Sequence, residues 1–121
     1  MPRVIHFEIN ADEPERAAEF YRSVFGWEIT SWGGPMPYWL ATTGPDEESG
    51  INGAIKGRDE GLSTVNTIDV PSVDEFLEKI GAAGGKALTE KMTIPGIGYN
   101  AYCLDSEGNV FGIIQSDPSA A

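Results

Sequence analysis

The sequence predicts an α+β fold built from two tandem βαβββ modules within one domain. Three observations carry that reading. Within residues 3–10, Ile5, Phe7 and Ile9 alternate with His6, Glu8 and Asn10 at period two, and an apolar stripe of helical period follows directly. The same order of elements then returns after roughly 60 residues, which is too long and too few for a solenoid and fits a duplicated unit. Of the 121 residues, 40% are hydrophobic, enough for one core, and the length leaves no room for a second independent domain. The domain is expected over residues 1–121, with module one at about 3–57 and module two at about 63–116.

Residues 3–10 read as the first strand. Ile5, Phe7 and Ile9 lie on one face and His6, Glu8 and Asn10 on the other. Asp12 or Glu13 supplies an N-cap before Pro14, which suits the first turn of a helix. From Pro14 to Val24, Ala17, Phe20, Tyr21 and Val24 recur at helical spacing, with Glu15, Arg16, Glu19 and Arg22 expected toward water, and Gly26 ends the helix. Strands are expected near 27–32, 37–43 and 51–57, separated by Gly33-Gly34-Pro35 and by the polar stretch from Gly44 to Gly50.

The stretch from Arg58 to Leu62 is expected to link the modules. A strand over 64–70 leads into Pro71-Ser72 and a helix whose stripe is Val73, Phe76, Leu77 and Ile80, ended by glycines at 81, 84 and 85. Further strands are expected near 86–93, 98–104 and 110–116. The segment from Met92 to Tyr99, with Pro95, Gly96 and Gly98, reads as a mobile loop placed to cover a site.

Nineteen acidic against eight basic residues give a net charge of −11, which repels phosphate backbones and anionic lipid headgroups, so neither nucleic acid nor membrane is an expected partner. The charge itself is read as a solvated surface. The one cysteine, Cys103, has no partner for an internal disulfide and sits in a strand-like YNAYCLD, where a buried structural thiol is expected. MPRVIHFEIN lacks the apolar run of a secretory signal, so cytoplasmic residence is the expectation. No serine stands in a nucleophile-elbow context, and no glycine run ends in the Gly-Lys-Ser/Thr of a phosphate loop.

The stretch Phe20-Tyr21-Arg22-Ser23-Val24-Phe25-Gly26-Trp27 closes the first helix, and Asp105-Ser106-Glu107-Gly108-Asn109-Val110-Phe111-Gly112 makes the last hairpin turn. Together, at the matching ends of the two modules, they resemble the glyoxalase, bleomycin-resistance and extradiol-dioxygenase proteins of the vicinal oxygen chelate superfamily, over Val4 to Gln115. The resemblance implies that the modules form a curved, cup-like mixed sheet with the helices on its outer face and a ligand on its concave face. The alternation then sends His6, Glu8 and Asn10 into the cup, with Val65, Thr67 and Asp69 as their second-module counterparts.

Metal-dependent members carry one ligand on the first strand and one on the last strand of each module. Of those four positions only His6 retains a donor here, because the others fall at Val65, near Gly53 and at Gly112. The expectation is therefore no cofactor and no metal ligands. Of the aromatic residues, most fill core or interface, and Trp39 and Tyr102 are the expected cavity walls. The functional expectation is a metal-free protein that binds a small organic molecule through His6, Glu8, Trp39, Thr67 and Tyr102. One alternative is a glyoxalase-like lyase or isomerase, or a dioxygenase, with a non-standard metal site or with His6 and Glu8 as catalytic acid/base. The other is a dimeric interaction scaffold. Exposed sheet edges and the resemblance together imply a homodimer.

Overall fold

The computed structural model describes residues 2–34, 36–59 and 61–121; Pro35 of the expected turn and Glu60 of the expected linker lie outside them. Two compact units emerge, one over 6–65 and one combining 1–5 with 66–121. Each has the α+β composition expected of a module.

In the unit over 6–65, β1 (Val4–Ala11) enters from the other unit and leads into α1 (Pro14–Phe25), then β2 (Glu28–Ser31), β3 (Tyr38–Thr42) and β4 (Gly53–Gly57). The strands lie in the order β2-β3-β4-β1. The first two contacts are antiparallel and the β1–β4 contact is parallel. A parallel neighbour requires a crossover, here α1 with β2 and β3. Glu13 is the N-cap of α1 but makes no side-chain cap bond. Asp12 turns instead to Arg58, at 2.8 Å. At the other end Gly26 adopts φ 72°, and its N–H closes the helix on the Arg22 carbonyl.

The core of this unit is Ala11, Ala18, Ile29, Ala41 and Ile55, with Ile9, Ala17, Tyr21, Trp27 and Trp39 packed against it. Small side chains on α1 bring the helix close to the sheet, and Tyr21 stacks on Trp27 at 4.8 Å. This rotates the helix relative to the expected stripe. Ala17, Ala18 and Tyr21 face the sheet, whereas Phe20 and Val24 are more than half exposed. Arg22, expected toward water, donates to the Ile29 carbonyl at 2.6 Å.

The expected linker is pinned rather than loose. Arg58 N–H donates to the Ala11 carbonyl and its guanidinium to the Leu62 carbonyl, while Asn10 binds both the Asp59 N–H and the Ser63 carbonyl. The buried Lys56 ammonium reaches Asp59 at 2.6 Å. Buried polar groups on β1 and β4 thus find their partners in the loop that follows them.

The other unit contains β5 (Thr64–Asp69), α2 (Val73–Ala82), β6 (Lys86–Ala87), β7 (Met92–Ile94), β8 (Gly98–Leu104) and β9 (Val110–Ser116). Its strands run β5-β9-β8-β6, and β7 also pairs with β8. The parallel β5–β9 contact repeats the β1–β4 arrangement. Ser72 caps α2 by accepting the Glu75 N–H at 3.2 Å. The expected stripe holds: Val73 is buried, and Phe76, Leu77 and Ile80 pack on Val70, Ala101, Cys103 and Ile113. Burial raises the Cys103 thiol above its ordinary pKa.

Two expectations change here. The strand expected over 86–93 is divided into β6 and β7, because Thr89 Oγ accepts the Tyr102 N–H that a continuous ladder would use. The segment expected to be a mobile loop is a hairpin. Ile97 N–H closes on the Ile94 carbonyl around Pro95 and Gly96, whose φ of 76° fits the third position of a type II turn. The Ile97 carbonyl and the Gly96 N–H are further bonded to Asp117 and Ala120. The Asp105–Asn109 turn forms as expected: Asp105 Oδ1 accepts the Glu107 and Asn109 N–H groups, which lowers the Asp105 pKa, and Gly108 takes φ 81°.

Candidate functional site

On β1 the alternation puts His6, Glu8 and Asn10 on the face away from α1. Glu8 is 6% exposed and Asn10 4%. A carboxylate so deeply buried requires hydrogen-bond donors, and the register shows where one comes from. Glu8 is paired with Ala54 of β4, which is paired with Leu40 of β3; the next row joins Asn10, Lys56 and Tyr38. Directly paired residues project on the same side of a sheet, so Tyr38 shares a face with Glu8 from two strands away. Two interstrand spacings amount to about 10 Å, and a tyrosine can cross them only over a small neighbour. Ala54 is that neighbour.

The Tyr38 hydroxyl donates to Glu8 Oε2 at 2.8 Å, and His6 Nε2 lies 3.0 Å from the Tyr38 hydroxyl oxygen. Three residues from two non-adjacent strands thus form one chain, His6–Tyr38–Glu8. Burial lowers the His6 pKa below its ordinary value, against a smaller raising pull from Glu8, so the imidazole is neutral at pH 7. The ring of Trp32 stands edge-on to Tyr38 at 5.8 Å and is 41% exposed, and Leu40 is 40% exposed. This face therefore offers apolar surface beside the polar chain. Loop 43–52 forms a shallow polar cleft lined by residues that include Asp46, Glu48 and Asn52, and it shares no residue with this group.

Tyr38 was not among the residues singled out from the sequence. The aromatic preferred there, Trp39, projects to the opposite face and packs against the core with Ile55 and Ala41. The alternation of YWLAT could have shown that only one of the two adjacent aromatics shares a face with Glu8. Choosing between them needed the β3–β4 register.

In the other unit, Thr67 of β5 pairs with Gly112 of β9, and Gly112 pairs with Tyr102 of β8. The three occupy one row on the face away from α2, where Thr67 is 9% exposed. A Cβ at Gly112 would stand 3.3 Å from Thr67 Oγ1 and 3.7 Å from the Tyr102 ring, so the glycine leaves an indentation between them.

The ligand positions implied for a divalent metal do not fit one. Val65 is buried and apolar, and Gly112 has no side chain. The register also corrects the fourth position: Gly53 is paired with Phe7 on the α1 side, and the residue of β4 that shares a face with Glu8 is Ala54. Neither glycine nor alanine donates a ligand, and His6 Nε2 is engaged with Tyr38. Among the described residues no group of three or more His, Cys, Asp or Glu side chains could hold a metal ion.

A family model described as bleomycin resistance protein-like N-terminal matches residues 3–37. No curated protein matches the chain by sequence. Among solved structures, a methylmalonyl-CoA epimerase in complex with methylmalonyl-CoA and NH4+ superposes with a TM-score of 0.72 at 14% identity, covering 100% of this chain and 99% of that one. The chain has the vicinal oxygen chelate fold. The methylmalonyl-CoA epimerase of Mycobacterium tuberculosis shares that fold at a TM-score of 0.69 and 13% identity, covering 95% of this chain and 88% of that one. A hypothetical protein of Bacillus halodurans C-125 does so at 0.70 and 12%, covering 99% and 98%. The superfamily resemblance drawn from the two terminal motifs is thus supported by the fold along the whole chain and by the sequence match at its beginning. At these identities the likeness concerns the fold, and the chemistry has to be argued from the chain's own residues.

Proposed function

We propose that this protein, which has the vicinal oxygen chelate fold, binds a small organic molecule without a metal, on the face that carries His6, Tyr38 and Glu8. The observation that carries the reading is the hydrogen-bonded chain itself. A buried carboxylate, a phenol and an imidazole are held in sequence beside the exposed Trp32 and Leu40. A few fixed polar groups set beside apolar surface are what a small-molecule site requires. Thr67 and Tyr102 are proposed as ligand contacts on their own unit, whereas Trp39 is half-buried against the core on the opposite face.

The test is a thermal-shift screen of small organic compounds, with CoA esters included because related folds have been solved with them, repeated on His6→Ala and Tyr38→Phe. Binding that weakens in both variants supports the reading, and a screen without any ligand rejects it. Elemental analysis with titration by Zn²⁺, Ni²⁺, Mn²⁺ and Fe²⁺ tests the metal-free part. A stoichiometric metal lost on His6→Ala rejects it.

A second reading is favoured by the same chain: neutral His6 acts as a base, with Tyr38 and Glu8 orienting it. Turnover lost in His6→Ala with ligand affinity retained would establish this. We also propose a cytoplasmic location and a homodimer, the latter because β2 lies at a sheet edge and Phe20, Val24 and Phe25 leave apolar side chains exposed on α1. A monomeric mass by light scattering at micromolar concentration rejects the dimer. Among the described residues no helix is long and apolar enough to cross a membrane.

A further inference from the structure

A phenol has one proton. Tyr38 gives that proton to Glu8 Oε2, since a carboxylate only accepts, and the phenol oxygen is left as the acceptor toward His6. His6 Nε2, 3.0 Å away, must therefore be the protonated nitrogen of the neutral ring. The other nitrogen, Nδ1, then carries a bare lone pair. It has no hydrogen-bond partner among the described residues, and no described buried side-chain nitrogen or oxygen is left unpartnered, so Nδ1 keeps access to solvent.

We propose that His6 Nδ1 is the anchor of the ligand site and that it selects molecules without negative charge that offer an O–H or N–H donor, such as an alcohol or an amide, on an apolar body. The inference rests on the small-molecule reading above. A carbonyl, ether or carboxylate oxygen meets lone pair against lone pair at Nδ1, and an anion is further repelled by Glu8. The apolar body rests against Trp32 and Leu40, the partly exposed apolar side chains on the same side as the chain. Glu8 and Tyr38 are positioning residues: they set which nitrogen is bare and touch no ligand.

His6 is the single histidine, so its ring nitrogens are read without assignment ambiguity in the ¹⁵N–¹H spectrum of the intact protein. The expected spectrum at pH 7.5 shows the proton on Nε2 and a bare Nδ1. In Tyr38→Phe the preference for Nε2–H is expected to disappear. The probes are benzyl alcohol, benzyl methyl ether and benzoate. Benzyl alcohol should shift Nδ1 and leave Nε2 in place, binding about tenfold more tightly than either of the others, as one hydrogen bond to a desolvated acceptor allows. A proton on Nδ1 in the wild type overturns the inference, and so does a Nδ1 resonance that benzyl alcohol does not move at its solubility limit. Equal binding of all three probes overturns the donor requirement and leaves the small-molecule reading standing. That reading fails separately, when the wider screen yields no ligand.

Discussion

Replacing Tyr38 by phenylalanine tests the polar chain most directly. The substitution removes one hydroxyl and keeps the ring, so its contact with Trp32 is preserved. Two hydrogen bonds are lost, one of 2.8 Å to the Glu8 carboxylate and one of 3.0 Å to His6. Bonds to charged acceptors contribute about 1.5–3 kcal/mol and neutral ones about 1 kcal/mol, while the buried phenyl recovers a part. Glu8 is 6% exposed, so solvent replaces the lost donor poorly, although its remaining contacts limit the cost. A net loss of about 2 kcal/mol is expected. An unfolding entropy of about 2.1 cal/mol/K per residue translates this into a fall in Tm of about 8 °C for a chain of this length. Calorimetry at pH 7 measures it. A Tm within about 1 °C of wild type would refute the claim that Tyr38 holds Glu8 and His6 together.

Gly53→Ala is expected to destabilise by about 1–3 kcal/mol, because the new Cβ would lie 2.5 Å from the Phe7 carbonyl and 2.6 Å from its ring; urea unfolding checks it, and an unchanged midpoint contradicts the β1–β4 register. His6 has a lowered pKa in the folded protein, so on acidification the unfolded chain takes up the proton first. Its contribution to stability is full above the ordinary histidine value of about 6.5 and is lost as pH falls through the folded pKa. Unfolding free energies measured between pH 8 and 5 should show this decline, and His6→Gln should flatten it. Ser72→Ala removes the side-chain cap on the Glu75 N–H, leaving Gln115 Oε1 on the Val73 N–H, and should cost about 1 kcal/mol by urea unfolding, with Ser72→Asp restoring the loss.

Much of the architecture was readable from local sequence. Period-two alternation in VIHFEINA located β1 and placed His6 with Glu8 on one face, Pro14 and Gly26 bounded α1, and Pro71-Ser72 announced α2, because these signals depend on backbone geometry within a few residues. The two terminal motifs led to the superfamily whose fold the chain has. Which way α1 faces was not legible. Ala17 and Ala18 pack inward and Phe20 does not, a choice made by the close approach of helix and sheet and by the stacking of Tyr21 on Trp27.

The amino-acid sequence by itself determined the order of the elements apart from the division of the 86–93 strand, the limits of α1 and the two faces of β1, since each follows from residue periodicity and from the dihedral limits of proline and glycine. Only the tertiary structure decided that Tyr38 rather than Trp39 completes the polar chain. That choice depends on which strand lies beside which and in what register, and a shift of one residue would have exchanged the two rings. It also decided that Ala54, not Gly53, shares the face of Glu8, leaving the small gap through which a side chain from β3 reaches across β4 to a carboxylate and an imidazole on β1.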